Sequence, residues 1–156
     1  MKFSQAGKKA LGEMEGCKLD VYLDSGGAPS IGIGHLLTRS ERASGKIVIG
    51  HTEGNYREGL TLHQVYDLLD QDLEPVELAI NRFVKVYLTQ PQYDALVCWV
   101  FNVGIDAFKG STLLRLLNAG KSEEVPAQLM RWVHDNGVQV AGLVNRREQE
   151  IKMWEA

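Results

Sequence analysis

The sequence has little of what would tie it to a disulfide framework, a metal, a membrane or a nucleic acid. Its 156 residues include two cysteines, four prolines and four histidines. Cys17 and Cys98, each among apolar neighbours, read as two reduced core thiols. The histidines show no zinc spacing, and His51-Thr52-Glu53 is too slight for a metal site. No apolar run approaches the roughly 20 residues of a membrane-spanning helix. The first ten residues, Met1 to Ala10, hold no signal-peptide core. The expectation is therefore a chain made in the cytoplasm, dependent on something else to reach a substrate beyond the membrane. A basic surplus is missing too: 17 Lys and Arg face 20 Asp and Glu, a net charge of -3. Nucleic-acid binding usually shows the opposite balance or a basic stripe.

What remains is an ordinary globular composition, 44% hydrophobic and 24% charged, on a chain long enough to bury a core. Residues 4–15 read as a helix with Ala6, Ala10, Leu11 and Met14 on one side, stopped at Gly16. From Lys18 to Asp24 the residues alternate, setting Leu19, Val21 and Leu23 against Lys18, Asp20 and Tyr22, as in a half-buried strand. Gly26-Gly27 turns the chain, and Ile31 and Ile33 continue the alternation in a returning strand. Gly32 and Gly34 leave one face of it bare, so backbone or ligand is expected close by. Residues 46–50 make a third short strand.

Everything after Gly59 reads helical. Thr61 with Gln64, and Thr89 with Gln92, have the spacing of capping boxes. The first opens a helix to about Val86 with a break or kink at Pro75; the second opens the most apolar segment, Tyr93 to Val103. Ser111 caps a further helix, Ser122 another ending at Asn136-Gly137, and a last one spans about 143–155. The fold class is α+β in a single domain, residues 1–156. Residues 17–60 form a small β-rich lobe, and residues 1–16 with 61–156 form a helical one. A ligand cleft is expected between the lobes.

Glu15, Asp24 and Ser30 fall within sixteen residues at that junction. Taken singly, they are a helix-end carboxylate, a turn aspartate and a strand serine. Together they supply an acid, a base and a hydroxyl, the set that hydrolysis of a glycosidic bond requires.

The stretches Glu15-Gly16, Tyr22-Leu23-Asp24 and Ser30-Ile31-Gly32-Ile33-Gly34-His35-Leu36-Leu37 resemble the bacteriophage-type lysozymes, the endolysins with a Glu, Asp, Thr triad. Phe101-Asn102-Val103-Gly104, Ser111-Thr112-Leu113 and Gly142-Leu143-Val144-Asn145-Arg146-Arg147 resemble that family's later motifs, in the same order. Residues 38–59 match nothing distinctive. The chain departs at Ser30, where the family usually has threonine; serine keeps the hydroxyl and loses the methyl that fixes its rotamer.

The resemblance implies a lysozyme-like fold and a muramidase acting on bacterial peptidoglycan without a cofactor. It makes Glu15 the general acid, Asp24 the base or electrostatic stabiliser and Ser30 the group holding the attacking water. It favours inversion, for which the carboxylates stand roughly 6.5–9.5 Å apart. It places Leu36, Phe101 and Ser111 at sugar-contacting positions, pairs His35 with Asp72 and brings Arg146 toward Glu15. Read bottom-up, Phe101 also suits the core, and Arg146 suits the surface of the last helix. The expected partner is the glycan strand, met by a monomer that a separate pore protein lets across the membrane. A lytic transglycosylase and a non-catalytic wall-binding module are the competing readings. The first can dispense with a water-holding hydroxyl, and the second has no use for two carboxylates.

Overall fold

The computed structural model describes residues 1–156, and the chain divides into two compact units, residues 9–74 and residues 1–8 with 75–156. The divisions fall inside two helices, α1 (Gln5–Glu15) and α3 (Leu62–Phe83), rather than at the lobe limits expected from sequence.

In residues 9–74, the chain leaves α1 at Gly16, whose φ of +77° suits a residue without a Cβ. A three-stranded antiparallel sheet follows, with β1 (Lys18–Leu23), β2 (Pro29–Gly32) and β3 (His35–Leu36) in that order. Tyr22 stands opposite Ser30, Leu23 opposite Pro29, and Ser30 opposite Leu36. The central strand supplies the core: Ile31 is fully buried, and with Ile33, Leu37, Val65, Leu68, Leu69 and Leu73 it forms the apolar interior.

β1 does not show the half-buried alternation expected of it. Leu19, Val21 and Leu23 are 44%, 42% and 67% exposed, and Tyr22 is the one residue of the strand that is half-buried. β1 is an edge strand, and an irregularity between Lys18 and Tyr22 breaks its pairing with β2. Such a bulge re-aims side chains, and a single-residue offset exchanges the two faces of a strand.

Residues 38–59 are more structured than their sequence suggested. Thr38 and Glu41 form a reciprocal capping box on α2 (Arg39–Ser44). β4 (Lys46–Ile49) then pairs with β5 (Thr52–Asn55) in a separate hairpin. Gln71 clasps that hairpin, donating to the Val48 carbonyl at 3.1 Å and accepting from the Gly50 N–H at 3.0 Å. The box at Thr61 and Gln64 forms at 2.8 and 3.1 Å, and α3 continues through Pro75 without ending there.

In the other unit, α4 (Gln90–Val103) is buried from Tyr93 to Val100 and packs most extensively on α8 (Ala141–Glu155). Its capping box at Thr89 and Gln92 is present, with Pro91 in the first turn, where a missing N–H costs nothing. Trp99 lies edge-on to Phe108 and to Trp132, at centroid distances of 6.1 and 5.5 Å. Between these helices run α5 (Ile105–Lys109), α6 (Thr112–Asn118), a 3₁₀ turn at Ser122–Glu124 and α7 (Val125–Leu129).

Two further expectations are corrected here. The chain is not wholly helical after Gly59: β6 (His134–Asp135) and β7 (Val138–Gln139) form a hairpin at Asn136-Gly137. These two residues have φ of 49° and 77°, as a tight two-residue hairpin turn demands. At the N-terminus the buried positions are Phe3, Gly7 and Leu11, while Ala6 is exposed. A Cβ on Gly7 would come within 2.4 Å of the Phe3 ring and 2.9 Å of the Asp94 carboxyl carbon, so this glycine is a packing requirement.

Candidate active site

Glu15, Asp24 and Ser30 all belong to the unit formed by residues 9–74. Glu15 is the last residue of α1 and is half-buried. Asp24 follows β1 in an exposed turn. Its Oδ1 accepts from the backbone N–H groups of Gly26 (2.9 Å) and Ala28 (2.8 Å). Those two bonds fix the carboxylate's orientation and leave Oδ2 as the oxygen available to a ligand. Ser30 is 3% exposed and donates a long bond, 3.4 Å, to the Ala28 carbonyl.

Tyr22 stands beside Ser30. It is the cross-strand neighbour of Ser30 and precedes Asp24 by two residues, so its ring lies on the face of the sheet that carries the serine. Burial pushes the phenol up from its ordinary value. The Glu15 carboxylate adds to this, the Gly34 backbone N–H pulls the other way, and the Asp24 carboxylate adds a further upward push. Nothing in the alternation of β1 had marked this tyrosine as part of the site.

Leu36 is 56% exposed, on β3 opposite Ser30. His35, next to it, lies between two carboxylates. Its Nδ1 is 2.7 Å from Asp72 Oδ2, and its Nε2 is 3.0 and 3.1 Å from the two oxygens of Glu41. Burial alone would pull the imidazole down, but Asp72 and Glu41 outweigh it and leave the histidine raised. Burial would raise Glu41, yet the Thr38 N–H and His35 bring it below its ordinary value. The expected His35–Asp72 contact is present. Glu41 was missed, although the Thr38-x-x-Glu41 spacing that announces a capping box was legible.

Phe101, Ser111 and Arg146 lie in the other unit. Phe101 is half-buried near the end of α4. The Ser111 hydroxyl caps α6, accepting from the Leu114 N–H at 3.1 Å and donating to the Phe108 carbonyl at 2.7 Å. Ser111 also lines a pocket of about 290 Å³ with Gly110, Thr112, Gln128, Arg131 and Trp132.

Arg146 is 8% exposed, which overturns the surface reading. It donates to the Cys98 carbonyl at 3.0 Å and to Glu150 at 3.2 Å. Arg147 and Glu150, unmarked by any sequence pattern of charge, are fully buried beside it. Arg147 reaches Asn102 at 2.7 Å and Glu150 at 2.9 Å. Burial raises the Glu150 carboxyl against the pull of the two arginines. Cys17 differs from its expected core position: it is exposed, just after α1, whereas Cys98 is buried, and the two form no disulfide.

The model of the phage lysozyme family matches residues 12–150, a span that holds every residue named above as a site candidate. The chain belongs to the phage lysozyme family. It is 43% identical over 109 residues to the SAR-endolysin of Escherichia phage Mu, covering 69% of this chain and 64% of that protein. It is 34% identical over 156 residues to the endolysin of Bacillus phage PZA, covering 99% of this chain and 55% of that one. The chain thus spans less than two thirds of the length of these two relatives. Among solved structures, the endolysin from Escherichia coli O157:H7 phage FAHEc1 superposes with a TM-score of 0.81 at 32% identity, over 99% of this chain and 93% of that one. The lysozyme-like α+β fold expected from sequence is the fold of the family.

Proposed function

We propose that the protein is an endolysin, a muramidase that hydrolyses the β-1,4 bond between N-acetylmuramic acid and N-acetylglucosamine in bacterial peptidoglycan. The observation that carries this reading is that Glu15 at the end of α1, Asp24 in the turn after β1 and Ser30 on β2 belong to one compact unit of a phage lysozyme chain. Glu15 donates its proton to the leaving glycosidic oxygen. Asp24, exposed and oriented through Oδ1, accepts a proton from water on Oδ2 or stabilises positive charge developing on the sugar. The Ser30 hydroxyl exchanges its long bond to Ala28 for one to that water. Attack from the face opposite the leaving group inverts the anomeric centre. No step draws on a cofactor.

Leu36, Phe101 and Ser111 are proposed to contact the glycan. Of these, the exposed Leu36 is the most accessible, while the Ser111 hydroxyl has both of its roles occupied by its own helix cap. Arg146 is proposed to have a structural role in its own unit, through its bonds to the Cys98 carbonyl and Glu150. The enzyme works as a monomer on the host cell wall. No helix is long and apolar enough to cross a membrane, and a separate pore protein is proposed as its route there.

Digestion of purified peptidoglycan tests the reaction. Mass spectrometry should find reducing-end sugars, and proton NMR of the first turnovers should show the α-anomer. Anhydro-sugar ends would instead indicate a transglycosylase, and a β-anomer would indicate retention.

A further inference from the structure

The cations of this protein are unevenly spread. The chain carries a net charge of -3, yet residues 78–121 hold Arg82, Lys85, Lys109, Arg115 and Lys121 against Asp94 and Asp106 alone. Asp94 is buried and its carboxylate accepts from Ser4 and Gln90 instead. Exposed lysines elsewhere find carboxylates: Lys2 pairs with Glu77 at 3.3 Å, and Lys46 with Glu53 at 3.2 Å. Arg82, Lys85, Lys109 and Arg115 are exposed, and none of the four forms an ion pair. The fold nevertheless gathers them. The Arg82 guanidinium and the Lys109 ammonium share the Phe83 ring, 5.4 and 5.2 Å from its centroid. The Lys85 ammonium donates to the Arg82 carbonyl. Asn118 ties this end of α3 to α6, donating to the Phe83 carbonyl at 2.8 Å and accepting from the Lys85 N–H at 2.8 Å. Arg115 lies one turn before Asn118 on the same face of α6. With Lys109, Thr112 and Asn118 it lines a pocket of about 350 Å³.

Cations held together without counter-charge repel one another and concentrate anions. Two large exposed side chains adjoin them: Leu78, one turn before Arg82 on α3, and Tyr87, two residues past Lys85 and 88% exposed. We propose that this face docks on an anionic phospholipid bilayer, with Lys109 and Arg115 taking a headgroup phosphate at the pocket and Tyr87 entering the interface. Basic groups are drawn to the anionic surface, while a tyrosine ring sits between its apolar and wet layers. A phosphodiester polymer of the wall would match the charge but leave Tyr87 and Leu78 nothing to bury. Four cations and one ring give reversible adsorption rather than insertion. The surface lies in the helical unit and takes no part in the chemistry proposed for Glu15.

Cosedimentation of the protein with lipid vesicles tests this. It should bind vesicles of phosphatidylcholine mixed with phosphatidylglycerol, not phosphatidylcholine alone, and added salt should release it. Combining Lys85→Gln, Lys109→Gln and Arg115→Gln should weaken that binding about a hundredfold, at about fivefold for each charge. Tyr87→Ala should weaken it too, with the salt dependence unchanged. All four side chains are exposed, so Tm and the digestion of soluble peptidoglycan fragments should stay at wild-type values and report that each variant is folded. Failure of the wild type to bind the mixed vesicles overturns the proposal, as does a folded triple variant that binds them equally well. Binding to soluble poly(glycerol phosphate) without binding to vesicles would overturn it in favour of a wall polymer.

Discussion

His35 Nδ1 lies 2.7 Å from Asp72 Oδ2, joining β3 to the middle of α3 within one compact unit, and Glu41 closes on the other ring nitrogen at 3.0 Å. Neither carboxylate is placed to accept a proton from a substrate by this geometry, since both are turned toward the imidazole. The cluster holds the sheet to its helices, and its contribution depends on pH.

The sign follows from the two shifts. His35 is raised above its ordinary 6.5, so its stabilisation is complete below that value and is lost as pH rises through the folded-state pKa. Glu41 is lowered below its ordinary 4.5, so its share is complete above that value and is lost as pH falls through its folded-state pKa. The cluster therefore stabilises most between about pH 4.5 and 6.5. Glu41→Gln preserves the capping box while removing the charge. It should lower Tm by about 2–4 °C in that window, and by less at pH 9. Asp72→Asn should behave alike, with activity per folded molecule nearly unchanged. Thermal melts across pH check both, and a pH-independent difference would contradict the account.

Ser30 should tolerate threonine and not alanine. Ser30→Thr keeps the hydroxyl and adds a methyl at a buried position, so activity should stay within about threefold. Ser30→Ala deletes the group proposed to hold water and should cost at least about tenfold. Turbidity clearing measured beside Tm separates this loss from one of folding; equal activity of the alanine variant would remove Ser30 from the mechanism.

Glu150 should matter for stability through its two buried arginine partners. It is fully buried against Arg146 and Arg147, so Glu150→Gln removes a charge that both guanidinium groups face. Breaking a buried pair by removing one partner costs about 3–5 kcal/mol. Urea denaturation should show this loss as a lower midpoint. A midpoint equal to wild type would mean that neighbouring carbonyls already compensate the arginines.

The legible parts of this chain were those written in local chemistry. The Thr61 and Thr89 capping boxes and the glycine turn at residues 26–27 each depend on residues close in sequence, and each formed as read. β1 lacks the expected inward face because alternation gives a period without saying whether either face is buried, and this strand lies at the sheet's edge with its pairing interrupted. The hairpin at Asn136-Gly137 carried a strong turn signal that also fits a helix end, and strands of two residues have no period to break the tie. Burial of Arg146, Arg147 and Glu150 is a tertiary fact: charges on a helix normally face water, and only the packing of α4 on α8 shows otherwise.

The most direct test of the account is lysis by Glu15→Gln. The amide preserves the shape of the helix end and cannot donate the proton, so turbidity clearing should fall by roughly 10²–10⁴-fold while circular dichroism and Tm remain those of wild type. A folded Glu15→Gln variant that clears cell walls within a few-fold of wild type would contradict it.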